Sequence, residues 1–407
     1  MRSLLVLLHR WCGLFIAVFL LISGLTGAVI SWDHEIDEWL NPELFEARAE
    51  GPELSPFELA ERIEARDPRV QIGFMPLYTE PGHAYGVSLN PRPDGNGQAE
   101  LNFNQVAVNP ATGEEQGRRY WGAVDLSREN LMPFLYKLHY SMHIPDGFGL
   151  ELGVLLMGIV AIVWTLDALV ALWLSFPNRR AWRKSFAFRW RQGGYKRNFD
   201  LHRSGAVWIW GLLLVLAITS VSMNLNVQVM RPVVSLFSPL AESPFASRTP
   251  LGPTEQREPA IGRVEAVRLA QAEAQRLGLE KPPGGLFHSP EFDLYGVGFY
   301  TAENDHGDGG LGNPWLYLDA QSGALVGTQI PGTGSAGDIF MQAQFPLHSG
   351  RILGLPGRIL VSILGLAVAM LSITGIVIWA RKRRSRLVAR KLRDEPACAP
   401  HEPLHQG

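Results

Sequence analysis

The chain has 407 residues, with 37 Lys and Arg against 39 Asp and Glu, so its formal net charge is −2. A nucleic-acid-binding protein would carry a clear basic excess, and this balance argues against that class. The two cysteines, Cys12 and Cys398, exclude a disulfide scaffold and any Cys-x-x-Cys metal or redox motif. Apolar residues are gathered into long runs that are separated by polar blocks.

Four apolar runs are long enough to cross a lipid bilayer. A spanning helix needs about 20 apolar residues for a hydrocarbon core about 30 Å thick. Trp residues lie near the ends of the runs, where an aromatic belt would place them. The first run is too long for the apolar part of a signal peptide, and we expect an uncleaved helix there. The predicted spans are Trp11–Trp32, Leu152–Asn178, Gly205–Met230 and Ile359–Ala380.

The charges of the connecting segments predict the orientation. Phe176–Asp200 carries eight Lys or Arg and one acid, and Arg381–Arg393 carries eight Lys or Arg. Asp33–Lys137 instead has nineteen acids against nine basic residues. By the positive-inside rule, both termini and the middle loop are cytoplasmic, and the two long polar segments, 33–138 and 231–350, lie outside, which is the periplasm in a Gram-negative host. The sequence therefore predicts a multi-pass protein of the bacterial inner membrane, with the lipid bilayer around its spans.

The two halves of the chain repeat one order of motifs. Leu8-His9-Arg10 opens the first span, and Leu201-His202-Arg203 opens the third. Each half then has a polar segment with one amphipathic helical pattern, 55–68 in the first and 260–278 in the second. Strand-like runs follow each helix. They are Ala84–Asn90, Asn102–Asn109, Asp293–Thr301 and Trp315–Asp319.

The repeat predicts the fold class. We expect an α-helical membrane protein with four transmembrane helices in two tandem halves, and two periplasmic α+β domains, each with one helix on an antiparallel sheet. The predicted parts are span 1 (1–32), domain 1 (33–138), span 2 with its lead-in (139–178), a basic loop (179–200), span 3 (201–230), a linker and domain 2 (231–346), span 4 with its lead-in (347–380) and a basic tail (381–407).

Histidines near the ends of all four spans are candidate ligands. His9 and His202 lie at the cytoplasmic ends of spans one and three, whereas His139, His143 and His348 lie at the periplasmic ends of spans two and four. A lone histidine there is most often an interfacial side chain, but matched positions in every span favour a function. Two imidazoles from different helices can take both axial positions of a haem iron. The pattern predicts two haems, one held by His9 and His202, the other by His348 with His143 or His139.

The haems would be bound without covalent attachment, as b-type haem, because the sequence has no Cys-x-x-Cys-His motif. An alternative is a metal site. His139 and His143 are four residues apart and would share one helical face, so with His348 they could hold zinc or copper.

Three further charged residues accompany these histidines. Asp167, in the second span, could relay protons, hydrogen-bond a ligand histidine, or be protonated and bonded to a neighbouring helix. Arg10 and Arg203 directly follow His9 and His202 and could pair with haem propionates or extend to lipid headgroups. The sequence has no Walker motif, and its two GxGxxG matches, 307–312 and 332–337, do not lie in a predicted βαβ unit, which a dinucleotide-binding fingerprint requires. Electrons would therefore come from quinol or a cytoplasmic reductase.

The membrane motifs resemble those of a known family, the PepSY-associated transmembrane proteins. The resemblance covers about residues 1–385 and is carried by HRWCGLFIAVFLLISGLTGAVISWDHEIDEWLNP, LHYSMHIPDGFG, WTLDALVALWLSFP, FDLHRSGAVW and FPLHSGRILGLPGR. That family includes iron-regulated inner-membrane proteins and ferric-siderophore reductases. The resemblance implies PepSY-like periplasmic domains and haem-mediated transfer of electrons to a ferric siderophore, whose reduction frees Fe(II). It implies as candidate ligands His9, His139, His143, His202 and His348.

Two other functions are also compatible with this sequence. One is a membrane-anchored binding or regulatory protein, in which the PepSY-like domains contact a partner and no cofactor is held. The other is a periplasmic metal-binding protein that uses the three-histidine site. The first predicts tolerance of histidine substitution, and the second predicts bound metal without haem.

Overall fold

The structure of the protein, a computed structural model, describes residues 1–49, 51–93, 100–176, 178, 180 and 182–394. The helices in this part of the chain are α1 (Arg2–Ile30), α2 (Asp33–Leu40), α3 (Pro42–Phe45), α4 (Pro56–Arg66), α5 (Leu131–Ser141), α6 (Leu152–Ser175), α7 (Gly194–Asn224), α8 (Arg231–Ser235), α9 (Arg263–Arg276), α10 (Ala336–Gln342), α11 (Gln344–Ser349) and α12 (Leu355–Asp394). The strands are β1 (Val70–Pro76), β2 (Tyr85–Pro91), β3 (Gln105–Val108), β4 (Glu115–Arg119), β5 (Pro283–Ser289), β6 (Leu294–Phe299), β7 (Trp315–Asp319) and β8 (Leu325–Gln329).

Four helices, α1, α6, α7 and α12, are long and apolar enough to cross a membrane. They correspond to the four predicted spans, but their ends differ from the prediction. Helix α1 begins at Arg2, nine residues before the apolar run that starts at Trp11, and it agrees with the span predicted over 1–32, so His9 lies inside the helix. Helix α12 continues to Asp394, so the first part of the predicted basic tail is helical, and residues 395–407 lie outside the described part of the chain.

The four long helices form a bundle in which α1 and α7 each pack against α6 and α12. This arrangement leaves α1 and α7 across the bundle from each other. Helices α1 and α12 approach most closely at Gly24 and Gly365, where a Cβ added to Gly24 would lie 2.6 Å from the Gly365 carbonyl oxygen. Small residues allow such close backbone contact between membrane helices. The first and last long helices of the chain are thereby joined, so the two halves form one bundle.

The remaining strands and helices form a layer at one end of the bundle. Its eight strands make one antiparallel sheet in the order β4-β3-β2-β1-β5-β6-β7-β8. Helices α4 and α9 cover one face, and α3 packs near β2 and β4. The Ser55 hydroxyl caps α4 by accepting a hydrogen bond from the Glu58 amide, and Pro56 occupies the first turn, where its missing N–H costs nothing. The core beneath α4 and α9 includes Leu59, Ile63, Val70, Leu89, Leu286 and Leu316.

The two halves join through their central strands. Strand β1 of the first half pairs with β5 of the second, with Phe74 opposite Phe287 and Met75 opposite Leu286. The predicted helices correspond to α4 and α9, and the predicted strands to β2, β3, β6 and β7. Strands β1, β4, β5 and β8 were not predicted. Pro and Gly interrupt β1 and β5, and β4 and β8 are short edge strands, so none shows a clear alternating pattern.

A buried histidine lies next to this junction and makes the stability of the sheet dependent on pH. His288 of β5 is 6% exposed, and its Nε2 atom has no hydrogen-bond partner in the described part of the chain. Burial lowers the pKa of His288 from 6.5 to about 4, and the charge of Arg263 acts in the same direction. Because the folded protein binds this proton less well than the unfolded chain, stability is complete above pH 6.5 and falls towards pH 4.

We expect this histidine to cost about 3 kcal/mol of stability between pH 7 and pH 4. The variant His288→Phe should therefore show a weaker loss of thermal stability on acidification than the wild-type protein. His405→Phe is the matched control, because this histidine lies more than 70 residues after Gln329, the last residue of β8, and the pH dependence of this variant should equal that of the wild type. Thermal unfolding of the detergent-solubilised proteins at several pH values measures the difference. If the melting temperatures of His288→Phe and the wild type fall equally as the pH is lowered, the expectation is contradicted.

Candidate functional site

One pair of histidines lies near the end of the bundle where α6 ends and α7 begins, which we call the basic end. His9 of α1 and His202 of α7 face each other with ring centroids 6.3 Å apart and ring planes at 45°. Both lie about two turns into their helices, because α1 begins at Arg2 and α7 at Gly194. The structure therefore brings together the two residues that the repeat predicts as a pair, one from each half.

A second pair lies at the opposite end, where α1 ends and α12 begins, which we call the sheet end. His139 and His348 have ring centroids 6.1 Å apart and planes at 63°. They are carried by the short helices α5 and α11, not by the long helices that follow. Helix α5 packs on α1, and α11 packs on α7. Each pair therefore has one ring on the α1 side of the bundle and one ring on the α7 side.

The Nδ1 atom of each basic-end ring is hydrogen-bonded within its own half. His9 Nδ1 lies 2.9 and 3.0 Å from the two carboxylate oxygens of Asp167 on α6. His202 Nδ1 lies 3.0 Å from the Leu371 carbonyl oxygen and 3.2 Å from the Thr374 hydroxyl, both on α12. Carboxylate and carbonyl oxygens accept hydrogen bonds, so we assign the ring proton to Nδ1. The other nitrogen, Nε2, then carries a free lone pair.

The sheet-end rings are held in the same way. His139 Nδ1 lies 3.0 Å from the Ser23 carbonyl oxygen and 3.1 Å from the Thr26 hydroxyl, both on α1. His348 Nδ1 lies 3.0 Å from the Thr219 hydroxyl of α7, which itself donates to a carbonyl of its own helix. These bonds again place the proton on Nδ1. A histidine that ligates a metal through Nε2 characteristically donates its other N–H in this way.

The rings lie in the interior of the bundle and are partly buried. His139, His202 and His348 are enclosed by the surrounding elements, yet each keeps part of its surface accessible. Two glycines make room for them. A Cβ added to Gly27 would lie 2.9 Å from His139 Cε1, and one added to Gly375 would lie 3.1 Å from His202 Cε1. Larger residues at these positions would push the rings from their places.

The ring spacing fits a metal ion held between two imidazoles. A metal–imidazole bond is about 2.0 Å long and the ring centre lies about 1.1 Å behind the nitrogen, so rings on opposite sides of one ion have centres about 6 Å apart. The observed separations are 6.3 and 6.1 Å. Ordinary ring packing covers this range too. Ring packing does not require the hydrogen bond at Nδ1 that all four rings make, so this hydrogen bond is the feature that favours a metal ligand.

His143 does not join either pair. The expectation that it shares a helical face with His139 is wrong, because α5 ends at Ser141 and both Met142 and His143 have positive φ angles, 54° and 52°. His143 instead stacks on Phe134 at 4.4 Å, and its Nε2 lies 2.9 Å from the Phe134 carbonyl oxygen. Within the described residues, no group of three or more His, Cys, Asp or Glu is arranged to hold a metal ion.

The two arginines flank the basic-end pair without acidic partners in the part of the chain that the structure describes. Arg203 donates from Nη2 to the Lys184 carbonyl oxygen at 2.5 Å and lies over the Phe199 ring, and its buried Nε has no partner. Arg10 makes no hydrogen bond or ion pair to any described residue. Both guanidinium groups can therefore bind an added anion.

Sequence reasoning missed the residues that hold the rings, although one signal was present. Thr26 and Thr219 each lie seventeen residues after the histidine of their own helix, His9 or His202. The equal spacing marks them as part of the repeat. Gly27 and Gly375 gave no such signal, because glycine is common in membrane helices for other reasons.

A cavity of about 330 Å³ lies between the sheet and the segment α2–α3. One lining residue, Asp305, lies in a loop that is tied to Arg351, three residues after His348. Arg351 Nη1 donates to Asp308 at 2.9 Å, and its carbonyl oxygen accepts from the Gly309 amide at 2.8 Å. The polar lining residues include His34, Tyr78, Glu80, His83, Arg119 and Asp305.

Comparison with known proteins identifies the family. A comparison with curated proteins found no match. The family model described as the PepSY-associated TM region matches residues 6–382, a range that contains both histidine pairs and all eight strands. Because the match covers nearly the whole chain, the protein belongs to the PepSY-associated TM family.

Proposed function

We propose that the protein transfers electrons across the bacterial inner membrane through two non-covalent b-type haems and reduces ferric siderophores in the periplasm. The observation that carries the proposal is the pair of facing imidazoles at each end of the bundle, each with Nδ1 hydrogen-bonded and Nε2 free. Bound haem would supply a one-electron Fe(III)/Fe(II) couple at each end.

The chain's own residues fall into three roles. His9 with His202 would hold one haem and His139 with His348 the other, each ring through Nε2. Asp167 and the carbonyl and hydroxyl oxygens around the rings fix the tautomer, so that Nε2 is ready to bind without reorganisation. Two further residues would pair with propionate carboxylates near the basic end, where charge-assisted hydrogen bonds are strong. These are Arg10 and Arg203.

The orientation follows from the charges of the connecting segments. The positive-inside rule puts the basic end in the cytoplasm and the sheet in the periplasm. The electron donor would be quinol, which gives up two electrons and two protons, or a cytoplasmic reductase. Each electron that arrives at the sheet end converts one chelated Fe(III) into Fe(II), which hard oxygen ligands hold less tightly. The released Fe(II) is then available for uptake.

The cavity between the sheet and the segment α2–α3 is the proposed acceptor site. Its volume of about 330 Å³ lies in the range of small-molecule sites, about 300–1,000 Å³. Arg119 is neutralised by an ion pair with buried Asp37. The acids on the wall, Glu80 and Asp305, contact His83 and His306, which cancel their charge only when protonated, so the wall is negative when these histidines are neutral. Negative walls favour neutral or cationic chelates over polyanionic ones.

Reduction of a ferric hydroxamate by the purified protein tests the proposal. The haem-loaded protein is reduced without oxygen, mixed with the chelate, and followed at the haem bands while a chromogenic chelator traps Fe(II). We expect one Fe(II) for each electron lost from the protein. Asp305→Asn with Glu80→Gln should weaken the reaction with a cationic chelate. A protein that stays reduced while no Fe(II) is formed would contradict the proposed acceptor.

A further inference from the structure

The partner of His9 differs in charge from the partners of the other three rings. His9 Nδ1 contacts both oxygens of Asp167, whose side chain is only 10% exposed. The Nδ1 atoms of His139, His202 and His348 contact only carbonyl and hydroxyl oxygens in the described part of the chain. One ring of four is therefore held by an acidic side chain.

The repeat shows that orienting a ring does not require this acid. His202 is the counterpart of His9 in the second half, and it is oriented by the Leu371 carbonyl and the Thr374 hydroxyl on α12. Asp167 takes the corresponding place on α6. A buried carboxylate is costly in a membrane helix, and neutral oxygens serve the same purpose at His202. The acid therefore contributes something other than orientation.

A carboxylate that accepts the Nδ1 proton changes the electronic character of the ring. It raises the basicity of the imidazole, so Nε2 becomes a stronger donor to a metal. It also places negative charge close to the metal in a medium of low dielectric constant, where charges interact strongly. Both effects stabilise Fe(III) over Fe(II) and so lower the reduction potential. Arg10 and Arg203 act in the opposite direction, but of these three charged residues only Asp167 contacts a ligand ring within the described part of the chain.

We propose that Asp167 is a positioning residue that sets the reduction potential of the basic-end haem below that of the sheet-end haem. The inference rests on the proposed function, because it needs a haem at each pair. Electrons move spontaneously from the site of lower potential to the site of higher potential. The hydrogen-bond asymmetry would therefore direct electrons from the basic end towards the sheet end, where the cavity lies.

Potentiometric titration of the purified, haem-loaded protein tests this inference without any acceptor. The wild-type protein should show two reduction waves. In His348→Ala, which lacks one sheet-end ligand, the wave that remains should be the one at lower potential. Asp167→Asn, which keeps the shape of the side chain without its charge, should raise the lower wave and leave the upper wave in place. Asp167→Glu should restore a low potential.

The matched control makes the same acid-to-amide change on the same helix but far from the basic-end pair. Glu151 is an exposed residue at the start of α6, so Glu151→Gln should leave both waves unchanged. If Asp167→Asn keeps both haems and neither reduction wave moves, the inference is overturned but the proposed function is not. Loss of the basic-end haem in Asp167→Asn but not in Asp167→Glu would also overturn it, because the acid would then hold the haem rather than set its potential. A wild-type protein without haem would overturn the proposed function as well.

Discussion

His348→Ala is expected to lower the haem content by about half, from two per chain to one, and to abolish electron transfer to a ferric chelate. His348 supplies one of the two sheet-end rings, and Ala leaves its partner, His139, without an opposing nitrogen. A metal site that loses one of its few protein ligands loses most of its binding free energy. The basic-end pair is untouched, so the remaining haem should keep its spectrum. Pyridine haemochrome analysis of the purified variant measures the content.

His143→Ala is the control for this experiment. The side chain of His143 stacks on Phe134 outside both pairs, so its removal should leave two haems per chain. If His143→Ala lowered the haem content as much as His348→Ala does, the pairing of His139 with His348 would be contradicted. His139→Ala should behave like His348→Ala, because the two rings serve one site.

Arg119→Met is expected to destabilise the sheet by about 3–5 kcal/mol, because it leaves a buried carboxylate without its partner. Arg119 of β4 and Asp37 of α2 form an ion pair at 2.7 Å, and both side chains are almost fully buried, at 10% and 9% exposed. Arg119 Nε also donates to Gln105 Oε1 at 2.8 Å. The pair joins α2, which follows the first membrane helix, to the edge of the sheet. Urea unfolding followed by circular dichroism measures the loss.

The neighbouring residue offers a control of the same type. Arg118 pairs with Glu115 at the surface, where its side chain is 45% exposed, and Arg118→Met should cost at most about 1 kcal/mol. The double variant Arg119→Met with Asp37→Leu should recover stability, because no unpaired charge remains in the interior. Equal costs for Arg119→Met and Arg118→Met would refute the importance of the buried pair.

The sequence was sufficient for the parts of this molecule that depend on local pattern and on the repeat. Apolar runs predicted four helices, and matched Leu-His motifs predicted that His9 would face His202. The choice between His139 and His143 could not be made, because the chain leaves α5 through positive φ angles at Met142 and His143 that no local motif announces.

Contacts between segments that are distant along the chain could not be predicted from the sequence either. Strands β1 and β5 each have a weak strand pattern. They pair with each other, with Phe74 opposite Phe287, although more than 200 residues of chain separate the two. The role of Asp167 was left open between a functional one, as a proton relay or a partner of a ligand histidine, and a protonated side chain bonded to a neighbouring helix, since the sequence does not tell which helix faces it. The structure places it on His9 because α1 and α6 pack together in one half of the bundle.

The visible absorption spectrum of the purified protein, with pyridine haemochrome quantification, tests the central claim most directly. After expression with ample haem, the account predicts a Soret band, the alpha band of b-type haem on reduction, and two haems per chain. A protein without a Soret band would contradict it, and would favour either a cofactor-free binding protein or a metal-binding protein without haem.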